Sequence, residues 1–190
     1  MDNNTKETIK QVAVKLFGLK GYDAVGVQEI VEAAKITKPT LYYYFGSKVG
    51  LLQAIIQENM EVLLKDLKEA SKYEHEFFDS CKKIIIAEIN FGKTHPDFFR
   101  FLITLLNSPD ASEMRSVFLP YHKDLMRIYF SFFIDSANEF GNMRGKEALY
   151  ATLFHTNTIA ITMKVVRGDM LDDEDTIYKI THSFIYGFAD

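Results

Sequence analysis

Seven side chains in one short segment raise the chemical question. The run ITKPTLYYYFGSK, residues 36–48, holds the alcohols of Thr37 and Thr40, the phenols of Tyr42, Tyr43 and Tyr44, and the ammonium groups of Lys38 and Lys48. Hydroxyl groups donate and accept hydrogen bonds, and ammonium groups donate them with a positive charge. Together they suit an anionic, oxygen-rich surface.

Successive residues on a helix point about 100° apart, so three adjacent tyrosines cannot share one buried face. Thr37 is placed to cap a helix, with Pro39 in the first turn, where its missing N–H is not needed, and Gly46 as the stop. On that wheel Leu41 and Phe45 share the core side. Thr40 and Tyr43 lie opposite, Pro39 stands beside Tyr43, and Tyr42 and Tyr44 occupy the flanks with Lys38 near Tyr42. This outer face suits a DNA major groove. The hydroxyls can bond phosphate oxygens, ring and methyl carbons can meet a thymine methyl, and the helix N-terminus favours phosphate. Lys48, opening the next helix, is placed for the neighbouring backbone phosphates. From periodicity alone a protein-contact surface remains equally open.

Bond-breaking chemistry has no constellation here. His75, His95, His122, His155 and His182 show no i, i+4 pairing and no H-E-x-x-H, and the chain lacks G-x-S-x-G and a phosphate-binding glycine loop. The single cysteine, Cys81, excludes an intrachain disulfide and a thiolate zinc site, and reads as packing. The expectation is no enzyme, no metal and no cofactor.

The elements that must position these groups are helices. The chain of 190 residues has only 10 Gly and 4 Pro, and is 47% hydrophobic and 25% charged. That composition favours a sizeable core of long helices over many short strands. Ile9, Val12, Ala13, Leu16 and Phe17 form a stripe, with Asn4 and Glu7 as a capping box and Gly21 as the stop. A second helix spans Val27–Ala34 behind Gly26, and a third runs to Phe45. Ser47 caps a longer one through Ala70. Further helices are expected at 74–93, 96–107, 112–139, 146–167 and 173–189, with breaks at Pro96, Pro109 and Asn142–Gly145, and with Pro120 kinking or dividing the 112–139 segment. The expected fold is all-α with about nine helices. An N-terminal three-helix, helix-turn-helix unit (1–48) is joined through the 47–70 helix to a C-terminal helical domain (49–190).

Residues 1–48 carry seven Lys/Arg against five Asp/Glu, whereas 49–190 carry fifteen against twenty-one, so the anionic partner belongs to the first quarter. The N-terminus lacks a signal-peptide pattern, and no apolar run of ~18 residues occurs, so a cytoplasmic protein with no membrane partner is expected.

The run LFGLKGYDAVGVQEIVEAAKITKPTLYYYFGSKVGLLQAII resembles the DNA-binding region of tetracycline-repressor (TetR) family regulators. The features that carry the resemblance are Leu16-Phe17, Lys20-Gly21-Tyr22, Ile30, Ala33-Ala34, Thr37, Thr40-Leu41-Tyr42, Phe45, Ser47-Lys48 and Leu51-Leu52. It implies a homodimer on double-stranded DNA, each subunit placing its third helix in a major groove, and a C-terminal domain that binds a small molecule and dimerises. By position it implies DNA contacts from Thr37, Lys38, Thr40, Tyr42, Tyr43 and Lys48, with Pro39 and Tyr44 at positions some members use. Three residues depart from the pattern. Gly26 replaces a Ser/Thr cap, Lys35 replaces a turn glycine, and Val49-Gly50 replaces Glu-Ala.

In the larger region Phe77, Cys81, Ile84 and Phe91 line one helical face with Glu88 in its midst. A carboxylate there must be paired, protonated or hydrogen-bonded. Two readings stay open: a Lys or Arg partner from a neighbouring helix, or a place in the effector pocket. Phe98, Phe99, Phe101, Met114, Phe118, Tyr121, Met126, Tyr129, Phe130 and Phe133 can wall an apolar pocket. Glu88, Phe91, Phe101, Phe118, Tyr121 and Met126 are the candidate ligand contacts, for a hydrophobic or amphipathic effector.

The helix at 146–167 is apolar on nearly every side. The last helix has two apolar faces, one carrying Ile177, Ile180, Phe184 and Phe188, the other Tyr178, Ile185 and Ala189. Two such C-terminal helices per subunit suit a four-helix dimer interface. The functional expectation is a ligand-responsive regulator, a repressor released from a palindromic operator. The alternative is a helical ligand-binding or protein-interaction module without sequence-specific DNA binding.

Overall fold

The computed structural model describes residues 2–140 and 143–187, and among these the chain forms nine α-helices. They are α1 (Asp2–Lys20), α2 (Val27–Ala33), α3 (Lys38–Phe45), α4 (Lys48–Ala70), α5 (Phe77–Thr94), α6 (Pro96–Leu106), α7 (Glu113–Ala137), α8 (Glu147–Arg167) and α9 (Glu174–Tyr186). Asn142, Phe188 and Ala189, named in the sequence reading, lie outside the described residues.

Two helix starts differ from expectation for local reasons, and at Pro120 one of the two open readings is removed. Helix α1 begins before Asn4, whose carbonyl accepts from the Thr8 hydroxyl at 2.9 Å, so Asn4 lies inside the helix and is not its cap. Helix α5 starts at Phe77 because His75 stands at φ 64°, a left-handed position that interrupts the helix. Helix α7 passes through the exposed Pro120 without dividing.

The helices group into two units. In the first, made of the chain up to Glu61 together with His95–His122, α1 packs against α6. Gly18 permits that approach, since a Cβ there would stand 3.2 Å from the Asp97 carbonyl oxygen. The Phe17 ring fits against Tyr22 at 5.1 Å and Phe101 at 5.6 Å, centroid to centroid. Ile9, Ala13, Ile30, Leu41, Leu52 and Ile56 close the small core with no exposed surface. Each such aliphatic side chain larger than Ala contributes roughly 1.5–3 kcal/mol of burial. Helices as short as α2 and α3 need that support.

In the second unit, Val62–Thr94 together with the chain from Lys123 onward, α5 packs against α8 and α9. Its core is aromatic. Phe77 stacks on Phe132 at 5.8 Å, Phe132 meets Phe133 at 5.2 Å, and Phe154 meets Phe184 at 4.6 Å.

Candidate nucleic-acid interface and interior polar cluster

The turn between α2 and α3 is built by backbone bonds. The Ile36 N–H donates to the Val31 carbonyl at 2.9 Å, and the Lys35 N–H to the Glu32 carbonyl at 3.1 Å. That pair is a Schellman motif, and Lys35 fills its left-handed position at φ 54°. Glycine is the usual residue there because a Cβ crowds the backbone.

Thr37 then caps α3. Its hydroxyl oxygen accepts from the Thr40 N–H at 3.4 Å and lies 2.9 Å from the Thr40 hydroxyl, so Thr40 is oriented before any partner arrives. Leu41 is fully buried, whereas Tyr43 is 79% and Tyr42 46% exposed. Lys38 and Pro39 are exposed, Thr40 and Tyr44 are half-buried, and Tyr44 packs between the rings of Tyr43 at 5.1 Å and Phe45 at 6.3 Å. Phe45 is half-buried, less enclosed than its place beside Leu41 on the wheel suggests.

The step from α3 into α4 explains a departure from the family pattern. Ser47 caps α4, accepting from the Gly50 N–H at 3.0 Å. A Cβ on Gly50 would lie 2.0 Å from the Phe45 carbonyl oxygen, so this turn admits only glycine. At Gly26 the backbone takes the extended form of a cap, φ −87° and ψ 156°, without a side-chain bond.

Lys48 is held from behind. Its Nζ donates to the Tyr22 carbonyl at 2.6 Å and sits 3.9 Å over the Tyr22 ring, while the Tyr22 hydroxyl donates to Glu113 at 2.5 Å. Burial lowers the Lys48 pKa from its ordinary value, and Asp23 and Glu113 oppose that shift. Burial, then the bond to Glu113, raises that of Tyr22. This three-residue link went unread in the sequence, since Glu113 lies 91 residues from Tyr22.

In the second unit Glu88 is 1% exposed, and its partner is neither Lys nor Arg. The Tyr129 hydroxyl donates to it at 2.6 Å, and Thr158 is its second hydrogen-bonding neighbour. Burial pushes the Glu88 pKa up to about 7, against the lowering effect of those two bonds. The His155 ring stands 5.1 Å from that of Tyr129, and the Thr162 hydroxyl is buried without a partner among the described residues.

Of the other candidate ligand contacts, Phe91 is buried on α5, while Phe101 and Phe118 are fully buried in the first unit. Tyr121 and Met126 are half-buried on α7. Two clefts of the second unit are lined by other residues. One, about 320 Å³, lies among α5, α8 and α9 and is walled by Phe154, Ile161, Ile180 and Phe184. The other, about 680 Å³, lies between the end of α4 and α7. No group of three His, Cys, Asp or Glu residues among those described could hold a metal ion, and no described helix is long and apolar enough to cross a membrane.

Two short helices joined by this turn, the second with phenols, a hydroxyl and an ammonium outward, have the form of a helix-turn-helix unit. Residues 9–55 match the family model described as bacterial regulatory proteins, tetR family, in agreement with the resemblance carried by that stretch of the sequence.

The Uncharacterized HTH-type transcriptional regulator YerO of Bacillus subtilis (strain 168) is 28% identical over 132 residues, 67% of this chain. The chain spans 45% of that relative's own length. Among solved structures, FadR from Bacillus subtilis in complex with stearoyl-CoA superposes with a TM-score of 0.75 at 16% identity, covering 96% of this chain and 98% of that one. AibR in complex with isovaleryl coenzyme A and operator DNA gives 0.74 at 19% identity, with the same coverage. At these identities the likeness establishes the all-α fold.

Proposed function

We propose that the protein is a cytoplasmic, ligand-responsive, DNA-binding transcriptional regulator without catalytic activity. It acts as a homodimer on a palindromic operator. The observation that carries this reading is the orientation of α3. Leu41 anchors it inside while Lys38, Thr40, Tyr42 and Tyr43 face outward behind a formed Thr37 cap. Residues 1–48 are the DNA-binding domain and 49–190 the effector-binding and dimerisation domain. Thr37, Lys38, Pro39, Thr40, Tyr42, Tyr43, Tyr44 and Lys48 are its DNA-facing set.

Dimerisation runs through α8 and α9, supported by the large apolar side chains they leave exposed: Leu149 at 56%, Leu153 at 47%, Tyr178 at 50% and Tyr186 at 57%. The effector is a small amphipathic molecule, and the complexes reported for FadR and AibR make acyl thioesters of coenzyme A the class to try first. Its binding favours a dimer whose α3 helices are wrongly spaced for two half-sites, and DNA is released, so the protein is a repressor.

Selection of duplexes from a random pool tests the reading. A palindrome with half-sites about one helical turn apart, about 34 Å, supports it. Recovery of no preferred sequence at low salt refutes it.

A further inference from the structure

The cleft between the end of α4 and α7 has a chemistry of its own. Leu64, Ile128 and Phe132 give it apolar surface and Tyr73 an aromatic ring. Four cations line it, Lys65, Lys68, Lys72 and Arg127, against two acids, Asp124 and Asp135. Arg127 pairs with Asp124 at 2.6 Å and Lys72 with Glu69 at 2.6 Å, both on the exposed surface. Among the described residues neither Lys65 nor Lys68 makes an ion pair.

Two like charges three residues apart on a helix oppose each other by a few tenths of a kcal/mol. Lys68 stands in the last turn of α4, where the helix dipole favours a cation. Lys65, almost a turn further in, gains little from it. Excess positive charge is also out of keeping with residues 49–190, where acids outnumber bases.

At about 680 Å³ the cleft lies within the usual range for small-molecule sites. A single carboxylate needs one of these cations. Several cations beside apolar and aromatic surface fit a group carrying several phosphates and a planar or apolar part. We propose that this cleft binds the multiply phosphorylated nucleotide end of an amphipathic effector of the coenzyme A thioester class. Lys65, Lys68 and Arg127 hold the phosphates, and Tyr73 and the neighbouring apolar side chains meet its uncharged part. The assignment rests on the effector reading above for the identity of the ligand, while the charge and shape of the cleft are independent of it.

The test is direct binding of palmitoyl-CoA, coenzyme A and palmitate to the full-length protein by calorimetry, in parallel with operator release. The variants are Lys65→Glu/Lys68→Glu and the conservative Lys65→Arg/Lys68→Arg, with thermal unfolding as the folding control. The proposal expects wild type to bind palmitoyl-CoA at least tenfold more tightly than palmitate, with an affinity that falls as salt rises. The charge-reversed protein loses that advantage and binds palmitate unchanged, and the arginine variant retains it. If the charge-reversed protein binds palmitoyl-CoA as wild type does, the cleft assignment is overturned while operator release by the thioester leaves the effector reading intact. If wild type binds palmitate and palmitoyl-CoA equally, the cleft assignment is again overturned. If it binds neither coenzyme A nor its thioester, the cleft assignment falls and so does the choice of effector class. DNA binding by the unliganded protein, measured alongside, would still support the regulator.

Discussion

The α2–α3 turn and the polar cluster around Glu88 are both sets of hydroxyls beside charges, but they are assembled in opposite ways. In the turn, every bond that orients a functional side chain is local: Lys35 to Glu32, Ile36 to Val31, Thr40 to Thr37. In the cluster, Glu88 and Tyr129 are 41 residues apart and meet only when α5, α7 and α8 have packed. The turn leaves its polar groups facing water, ready for a partner. The cluster satisfies a buried carboxyl group with a phenol and an alcohol. The cost of ionising that carboxylate is therefore carried by the whole second unit.

The largest effect that can break this contrast is at Gly50. Gly50→Ala forces the Phe45 carbonyl to move, since the new methyl would stand 2.0 Å from it. The expected cost is on the order of 3 kcal/mol, with loss of DNA binding at temperatures where the wild-type protein is fully folded. Denaturant unfolding and a gel-shift assay check it, and a fully active, equally stable variant would show that the turn yields easily.

Next comes Glu88. Its carboxyl titrates near 4.5 when unfolded and at about 7 in the folded chain, so between those values the folded state holds a proton that the unfolded state has lost. The contribution is complete below about pH 4.5 and is lost as pH rises through 7, with a full span of about 3 kcal/mol. Urea unfolding should show wild type losing stability from pH 5 to pH 8 relative to Glu88→Gln, whose amide oxygen still accepts from Tyr129. Parallel curves for the two proteins would mean that the folded carboxyl titrates normally.

A smaller effect sharpens the comparison from the DNA-binding side. Tyr22→Phe keeps a ring beneath Lys48 but removes the bond to Glu113. A hydrogen bond to a charged group contributes roughly 1.5–3 kcal/mol. The variant should lose stability toward the lower end of that range and bind DNA several-fold more weakly, as anisotropy titration would reveal. The smallest change is Lys35→Gly, which relieves a left-handed lysine and should raise stability by up to about 1 kcal/mol without altering DNA affinity.

The contrast also explains what could be read from the residues alone. Local rules settled the helices seen among the described residues and the Thr37 and Ser47 caps, and they foresaw the inward Leu41 and the outward Tyr43. They erred at α1, where Asn4 is no cap although Glu7 completes the pattern of a capping box. Helical periodicity placed Glu88 on a buried face but carried no information about a partner on another helix. A cation was the obvious candidate, and a phenol took the place. The capture of Lys48 by Tyr22 and Glu113 was equally hidden, because it joins the α1–α2 turn to the starts of α4 and α7. In the sequence Val49-Gly50 is only a departure from Glu-Ala, and the approach of the Phe45 carbonyl gives Gly50 its reason.

The central claim is that the outward face of α3 reads a duplex, and its most direct test is the binding of Lys38→Ala and Tyr43→Ala to a selected operator and to unrelated DNA across a salt series. Lys38→Ala should weaken both complexes alike and lower the salt slope by about 1, whereas Tyr43→Ala should lose roughly 1–3 kcal/mol on the operator and little elsewhere. If both variants bind both duplexes as wild type does, α3 does not face DNA.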